Sequence, residues 1–304
     1  MSLGCNCEAG LSNTGRPNCV PIQSVTSKLI MVNLTQANGT KNFIDLDAAL
    51  PVWSELVNET DETKRWFPLP EFENVELPKA DSLFEEANSG RMAFLRQGKR
   101  SFSGELWGED STPTLLGKLN GGRCVAFGIY IVDVNGNLVG SKDGRKLYPI
   151  PVDNESWNPV FMFATDSTVQ KIMLGFDFNR LFDESTMYMI QPDEAGVNFN
   201  DLDGLIDVNF ANPVVVTGAA GSLTFDAQFD YGTAINPLVL KGATVTGQTF
   251  FKLFENGALV VITGGQENLP IDGNYTCDYP FVVGSAYEIT MNRDGFSGSY
   301  KFTA

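Results

Sequence analysis

Residues 122–152, GRCVAFGIYIVDVNGNLVGSKDGRKLYPIPV, decide the fold class. Val125, Phe127, Ile129 and Ile131 alternate with Cys124, Ala126, Gly128, Tyr130 and Val132, the period of two that marks a strand. Both sets are mainly apolar, which predicts a strand covered on both faces. The run ends at Asn135-Gly136, the pair that best accepts the positive φ angles of a two-residue hairpin turn. Residues 137–141 return, Lys142-Asp143-Gly144-Arg145 turns again, and 146–152 leave extended, held by Pro149 and Pro151. This is the central meander of a β-rich domain, and it carries no catalytic side chains.

Working outward, 25–34 (VTSKLIMVNL) reads as the first strand. Trp53, Leu56 and Val57 follow Pro51 at helical spacing and predict a short helix. Residues 81–88 (DSLFEEAN) start acidic and are followed by Ser89-Gly90, which predicts a second helix. Residues 91–107 (RMAFLRQGKRSFSGELW) alternate as one long strand with a glycine-softened middle. Residues 112–119 form a short capped helix, and 160–165, 169–179 and 187–190 are further strands. Residues 1–23, rich in Gly, Asn, Ser and Pro, read as a flexible arm, either free or ordered on a neighbouring subunit.

A polar passage, 191–212, ends at Pro213 and marks a domain boundary. Beyond it come short strands at 213–217, 222–229, 237–241, 248–254, 258–263, 274–277, 285–291 and 296–303, with Asn256-Gly257 as a second hairpin signal. That spacing predicts an immunoglobulin-like β-sandwich. The expected fold is therefore mainly β: an arm at 1–23, a β-sandwich or barrel assembly domain with short helices at 24–212, and an immunoglobulin-like domain at 213–304. The run Asp272-Gly273-Asn274-Tyr275-Thr276-Cys277 resembles the tyrosine corner of immunoglobulin-like domains. The resemblance carries over only Tyr275, as a fold-fixing donor to backbone, because 213–304 has no second cysteine and no Trp.

The chain has 304 residues, no histidine and a net charge of −16. Without histidine, Ser-His-Asp and Cys-His catalysis and His-ligated zinc are excluded. The acidity disfavours binding to nucleic acid phosphates or anionic membranes. Five cysteines, Cys5, Cys7, Cys19, Cys124 and Cys277, do not make a disulfide framework. Cys5, Cys7 and Cys19 lack a fourth ligand for a metal. Leu3-Gly4-Cys5 imitates a lipoprotein cleavage box, but no basic or apolar stretch precedes it, so no signal peptide is expected. No run is long enough to span a membrane.

Asn200-Asp201-Leu202-Asp203-Gly204 fails as a calcium-binding helical loop, since Phe199 and Phe210 would fall at ligand positions. A looser carboxylate site from Asp201, Asp203 and Asp207 is weaker than an acidic turn. The charge layout is segregated. Arg91, Arg96, Lys99 and Arg100 lie in ten residues without an acid, whereas 181–207 hold seven acids and no base, and 55–86 hold ten acids against three bases. Such blocks suit subunit–subunit contacts, and equally suit ordinary solvated faces. In the contact reading, Arg91, Arg96, Lys99 and Arg100 meet carboxylates of a neighbouring subunit.

Residues 94–108 (FLRQGKRSFSGELWG), Leu115-Leu116 with Leu119, 129–141 (IYIVDVNGNLVGS) and 167–178 (STVQKIMLGFDF) resemble tailed-bacteriophage virion proteins of the tail-tube or neck-ring type. The resemblance implies a structural, non-enzymatic subunit, made in the host cytoplasm and built into the virion. It implies a homo-oligomeric, hexameric ring beside other virion proteins, with DNA as passing cargo, and no cofactor. It also implies that the immunoglobulin-like domain is displayed outward. Two alternatives stay open. One is a carbohydrate-binding module using Tyr231, Tyr279 or Phe281 as glycan platforms, and the other is a glycoside hydrolase using a carboxylate pair.

Overall fold

The computed structural model describes residues 22–232, 237–245, 250–268, 271–293 and 295–304. Residues 1–21 of the expected arm, with Cys5, Cys7 and Cys19, lie outside the described residues. The first unit opens with β1 (Thr26–Asn33), β2 (Ile44–Asp45), helix α1 (Trp53–Val57), β3 (Trp66–Pro68) and β4 (Glu73–Glu76). Strands β5 (Leu83–Glu86), β6 (Met92–Arg96) and β7 (Ser101–Trp107) follow. Helix α2 (Pro113–Gly121) leads into β8 (Phe127–Asp133), β9 (Leu138–Asp143), β10 (Lys146–Tyr148) and β11 (Ile150–Pro151). The unit closes with β12 (Asn158–Met162), β13 (Lys171–Asp177), β14 (Met187–Ile190) and helix α3 (Pro192–Ala195).

Strand β8 is buried along its whole length. It lies inside the sheet β2-β10-β9-β8-β1-β3, which has a core on each face. On one face Leu29, Ile129 and Ile131 meet Phe102, Leu106 and Phe176 of the sheet β12-β13-β7-β4. On the other, Ile30, Tyr130 and Val132 are closed over by Trp53, Trp66 and Phe199. The β8–β9 turn is fixed by Asp133, which is fully buried. Its carboxylate accepts the N–H groups of Ser24, Asn135 and Asn137, each at 3.0 Å, and the Asn137 amide at 2.8 Å. A buried carboxylate is tolerated when its lone pairs are occupied in this way. Gly136 turns the chain at φ +77°.

Both short helices expected around Pro51 and Thr112 form. Thr112 caps α2 by accepting the Leu115 N–H at 3.2 Å, with Pro113 in the first turn. Two expectations are corrected. Residues 81–88 are not a helix: β5 pairs antiparallel with β6, Phe84 opposite Phe94. Residues 91–107 are not one strand either, because β6 and β7 belong to different sheets. The chain changes sheets at 97–100, where a Cβ on Gly98 would lie 1.6 Å from the Ala80 carbonyl oxygen.

The second unit contains β15 (Ile206–Val216), β16 (Ser222–Gly232), β17 (Pro237–Val239), β18 (Phe251–Glu255) and β19 (Ala258–Val260). It continues with β20 (Gly264–Glu267), β21 (Asn274–Asp278), β22 (Ala286–Arg293) and β23 (Phe296–Thr303). Strands β15-β16-β21-β20 form one layer and β23-β22-β18-β19 the other, the order of an immunoglobulin-like sandwich. Strand β15 joins the layers, antiparallel to β16 and, at its start, parallel to β23. The core between them includes Phe225, Phe251, Tyr275, Cys277 and Ile289. This corrects the boundary expected at 212/213, since β15 runs through it. Pro213 falls in the register shift between Ala211 and Val214, where the ladder needs no N–H, and Asn212 takes φ +49°.

Candidate assembly surface

The β5–β6 hairpin contributes no residue to any of the three cores. Its base is tied to the first unit by Ala80 N–H to Lys99 O at 2.8 Å and Ser101 N–H to Pro78 O at 2.9 Å. Its tip turns through 87–91, with Gly90 at φ +77°. Every residue from 83 to 97 is exposed. Among them Leu83, Phe84, Met92, Phe94 and Leu95 are between 47% and 57% accessible. Phe84 and Phe94 pack edge to face at 5.6 Å, and neither stacks on another aromatic ring among the described residues. An isolated two-stranded ribbon is marginal in water, and clustered exposed apolar side chains mark contact surfaces. The sequence hides this surface because 81–88 imitates a helix and 91–107 reads as one continuous strand. The usable signal was a polar turn, Asn88-Ser89-Gly90, between two short runs that each carry a phenylalanine.

The four basic residues expected at a subunit interface divide into two pairs. Lys99 and Arg100 are engaged within the chain. Lys99 Nζ lies 2.7 Å from Asp177 Oδ2, and Arg100 Nε lies 2.7 Å from Glu184 Oε1. Arg100 Nη1 also donates to the Leu77 carbonyl, and Lys79 joins Glu184 at 2.9 Å. The hydrogen bond from Arg100 holds the Glu184 carboxyl below the usual glutamate range, with Lys79 adding to the effect. Arg91 and Arg96 flank the exposed hairpin positions and have no ion-pair partner among the described residues.

Asp201, Asp203 and Asp207 are not brought together as a metal site. The ammonium of Lys28 fills the loop instead, donating to the carbonyls of Asn200 at 2.8 Å and Leu202 at 2.9 Å and to Asp203 Oδ1 at 3.1 Å. Its three donors are all used. Asp207 pairs with Lys118 at 2.7 Å. Among the described residues no group of three His, Cys, Asp or Glu side chains could hold a metal.

No protein-family model matches this chain, and no curated protein is similar to it.

The glycan-platform expectation is corrected for Phe281, which is 1% exposed and packs in the second core. Tyr279 is half-buried, with its hydroxyl bonded to Glu255 at 2.9 Å. The side chain of Tyr231 lies outside the described residues. Tyr275 is fully buried, and its hydroxyl donates to the Leu240 carbonyl at 3.0 Å and accepts the Ala243 N–H at 3.1 Å. Tyr275 is thus a donor to backbone as expected, but the corner geometry is corrected: its acceptor lies 35 residues upstream, beyond β17, and not a few residues away. Its bonds tie that link to the sandwich.

Proposed function

We propose that this chain is a structural subunit of a tailed-phage particle, forming rings or a tube of the tail or neck through which DNA passes. The observation that carries this reading is the β5–β6 hairpin, a ribbon whose apolar side chains stay about half exposed among the described residues. Packing against a neighbouring subunit would bury them, at roughly 25 cal/mol per Å2 of apolar surface removed from water. The resemblance of 94–108, 129–141 and 167–178 to tail-tube and neck-ring subunits supplies the setting. The net charge of −16 suits a conduit wall, because DNA retention needs cationic contacts. In this reading the second unit is an outward appendage, and the work of the protein is geometry and surface charge.

Negative-stain microscopy of the purified chain tests the proposal. Rings or tubes are expected, and persistent monomers at high concentration would overturn it.

A further inference from the structure

Strands β5 and β6 make a sheet of two, so each has one edge paired with no other strand among the described residues. Near the tip the Ala87 N–H donates to the Arg91 carbonyl at 2.9 Å, with Glu86 opposite Met92 and Phe84 opposite Phe94. In an antiparallel ladder alternate residues turn their N–H and C=O groups away from the partner strand. Those of Phe84 and Glu86 on β5, and of Met92 and Phe94 on β6, therefore point outward. Such a row of open backbone groups is a template for another strand, and no proline interrupts either edge. The two edges differ in charge. Asp81, Glu85 and Glu86 lie on or beside β5 with no base among them, whereas Arg91 and Arg96 lie on or beside β6 with no acid. All five are exposed and have no ion-pair partner among the described residues.

We propose that the β6 edge of one copy of this chain pairs antiparallel with the β5 edge of a second copy, so that the hairpins join in one continuous sheet. This pairing rests on the assembly reading above and names the surfaces that meet. Charge complementarity argues for a second copy as the occupant, because the acidic edge and the basic edge are carried by the same ribbon. Repeating the register found within the chain sets Phe94 beside Phe84 of the second copy. It also brings Arg91 within two positions of the second copy's Glu85 and Glu86, and Arg96 within two of its Asp81. Paired aromatics and opposite charges across strands are the contacts that stabilise a sheet, and like edges would set like charges together. The contact is therefore head-to-tail, and repeating it closes a ring or extends a filament.

The test uses full-length chains altered only at exposed positions, with circular dichroism melts to check that each folds. Glu85→Arg with Glu86→Arg makes both edges basic, and Arg91→Glu with Arg96→Glu makes both acidic. In sedimentation velocity each variant alone should be a monomer, while an equimolar mixture should assemble like the parent. A chain carrying all four reversals should again assemble by itself. Met92→Pro removes an outward N–H from the β6 edge and none from the hairpin's own ladder, and should raise the concentration needed for assembly about tenfold. Single-edge variants that assemble like the parent, a mixture that stays monomeric, or Met92→Pro without effect would overturn the edge pairing and leave the assembly reading intact. A parent that is itself monomeric would overturn both.

Discussion

Arg100 and Glu184 meet inside a single chain, guanidinium Nε to carboxylate Oε1 at 2.7 Å, although they are 84 residues apart. The pair closes the base of the hairpin against the turn before β14, with Lys79 on the second carboxylate oxygen. Arg100 is therefore a folding residue, whereas Arg91 and Arg96 form no ion pair among the described residues. Arg100→Glu should cost about 1–3 kcal/mol, because it puts a carboxylate beside Glu184 in a partly buried setting. The melting midpoint should fall in the monomer, whereas Arg96→Glu should leave it unchanged.

The same pair sets an acid limit. Glu184 has a folded-state pKa below its unfolded value. Its stabilisation is thus complete above the unfolded value, roughly 4.3, and is lost as pH falls from there through the folded value. Thermal melts between pH 6 and pH 3 should fall more steeply for the parent than for Glu184→Gln. Equal slopes would show that Glu184 contributes nothing to the acid transition.

Strand β15 fixes where the second unit begins. A fragment of residues 206–304 should melt cooperatively. A fragment of 213–304 loses Val208 and Phe210 from the core, and with them the Phe210–Phe225 contact at 4.9 Å. Deleting a buried phenylalanine alone costs about 3–5 kcal/mol, a large part of a domain's stability. Equal melts for the two fragments would restore the boundary at 213.

Much of this fold is legible in the sequence where a local pattern and its burial agree. Strand β8 is apolar on both faces because it has a core on each side, and α2 is announced by Thr112-Pro113. Strand β20, Gly264–Glu267, has no such pattern; it exists because its backbone pairs with β21, Gln266 opposite Thr276. The hairpin was hidden for a related reason. Nothing within 81–88 reveals that Phe84 finds Phe94, and an acidic start followed by glycine imitates a helix. Pro213 reads as a break until its place in a bulge is known. The basic residues were visible as a cluster, but the register that gives two of them to Asp177 and Glu184 is set by long-range pairing.

Tyr275→Phe should destabilise the second unit by about 2 kcal/mol, because it leaves the buried Leu240 carbonyl and Ala243 N–H without the hydroxyl that joins them. Denaturant melts of the 206–304 fragment measure this directly. An unchanged midpoint would mean that other groups take over both bonds.

Two described cysteines should differ in reactivity. Burial pushes the Cys277 thiol up to about 12, so little thiolate forms and alkylation should need unfolding. Cys124 is exposed and should label readily in the native protein. Mass mapping of alkylated peptides, native against denatured, reads both.

The central claim is that the uncovered hairpin drives self-assembly. Sedimentation velocity of the parent chain against Phe84→Asp with Phe94→Asp tests it most directly. The hairpin lies outside all three cores, so the variant should keep the parent's melting midpoint, as exposed substitutions do within about 0.5 kcal/mol. The parent should sediment as rings or larger assemblies and the variant as a folded monomer. A variant that assembles as readily as the parent would contradict the account.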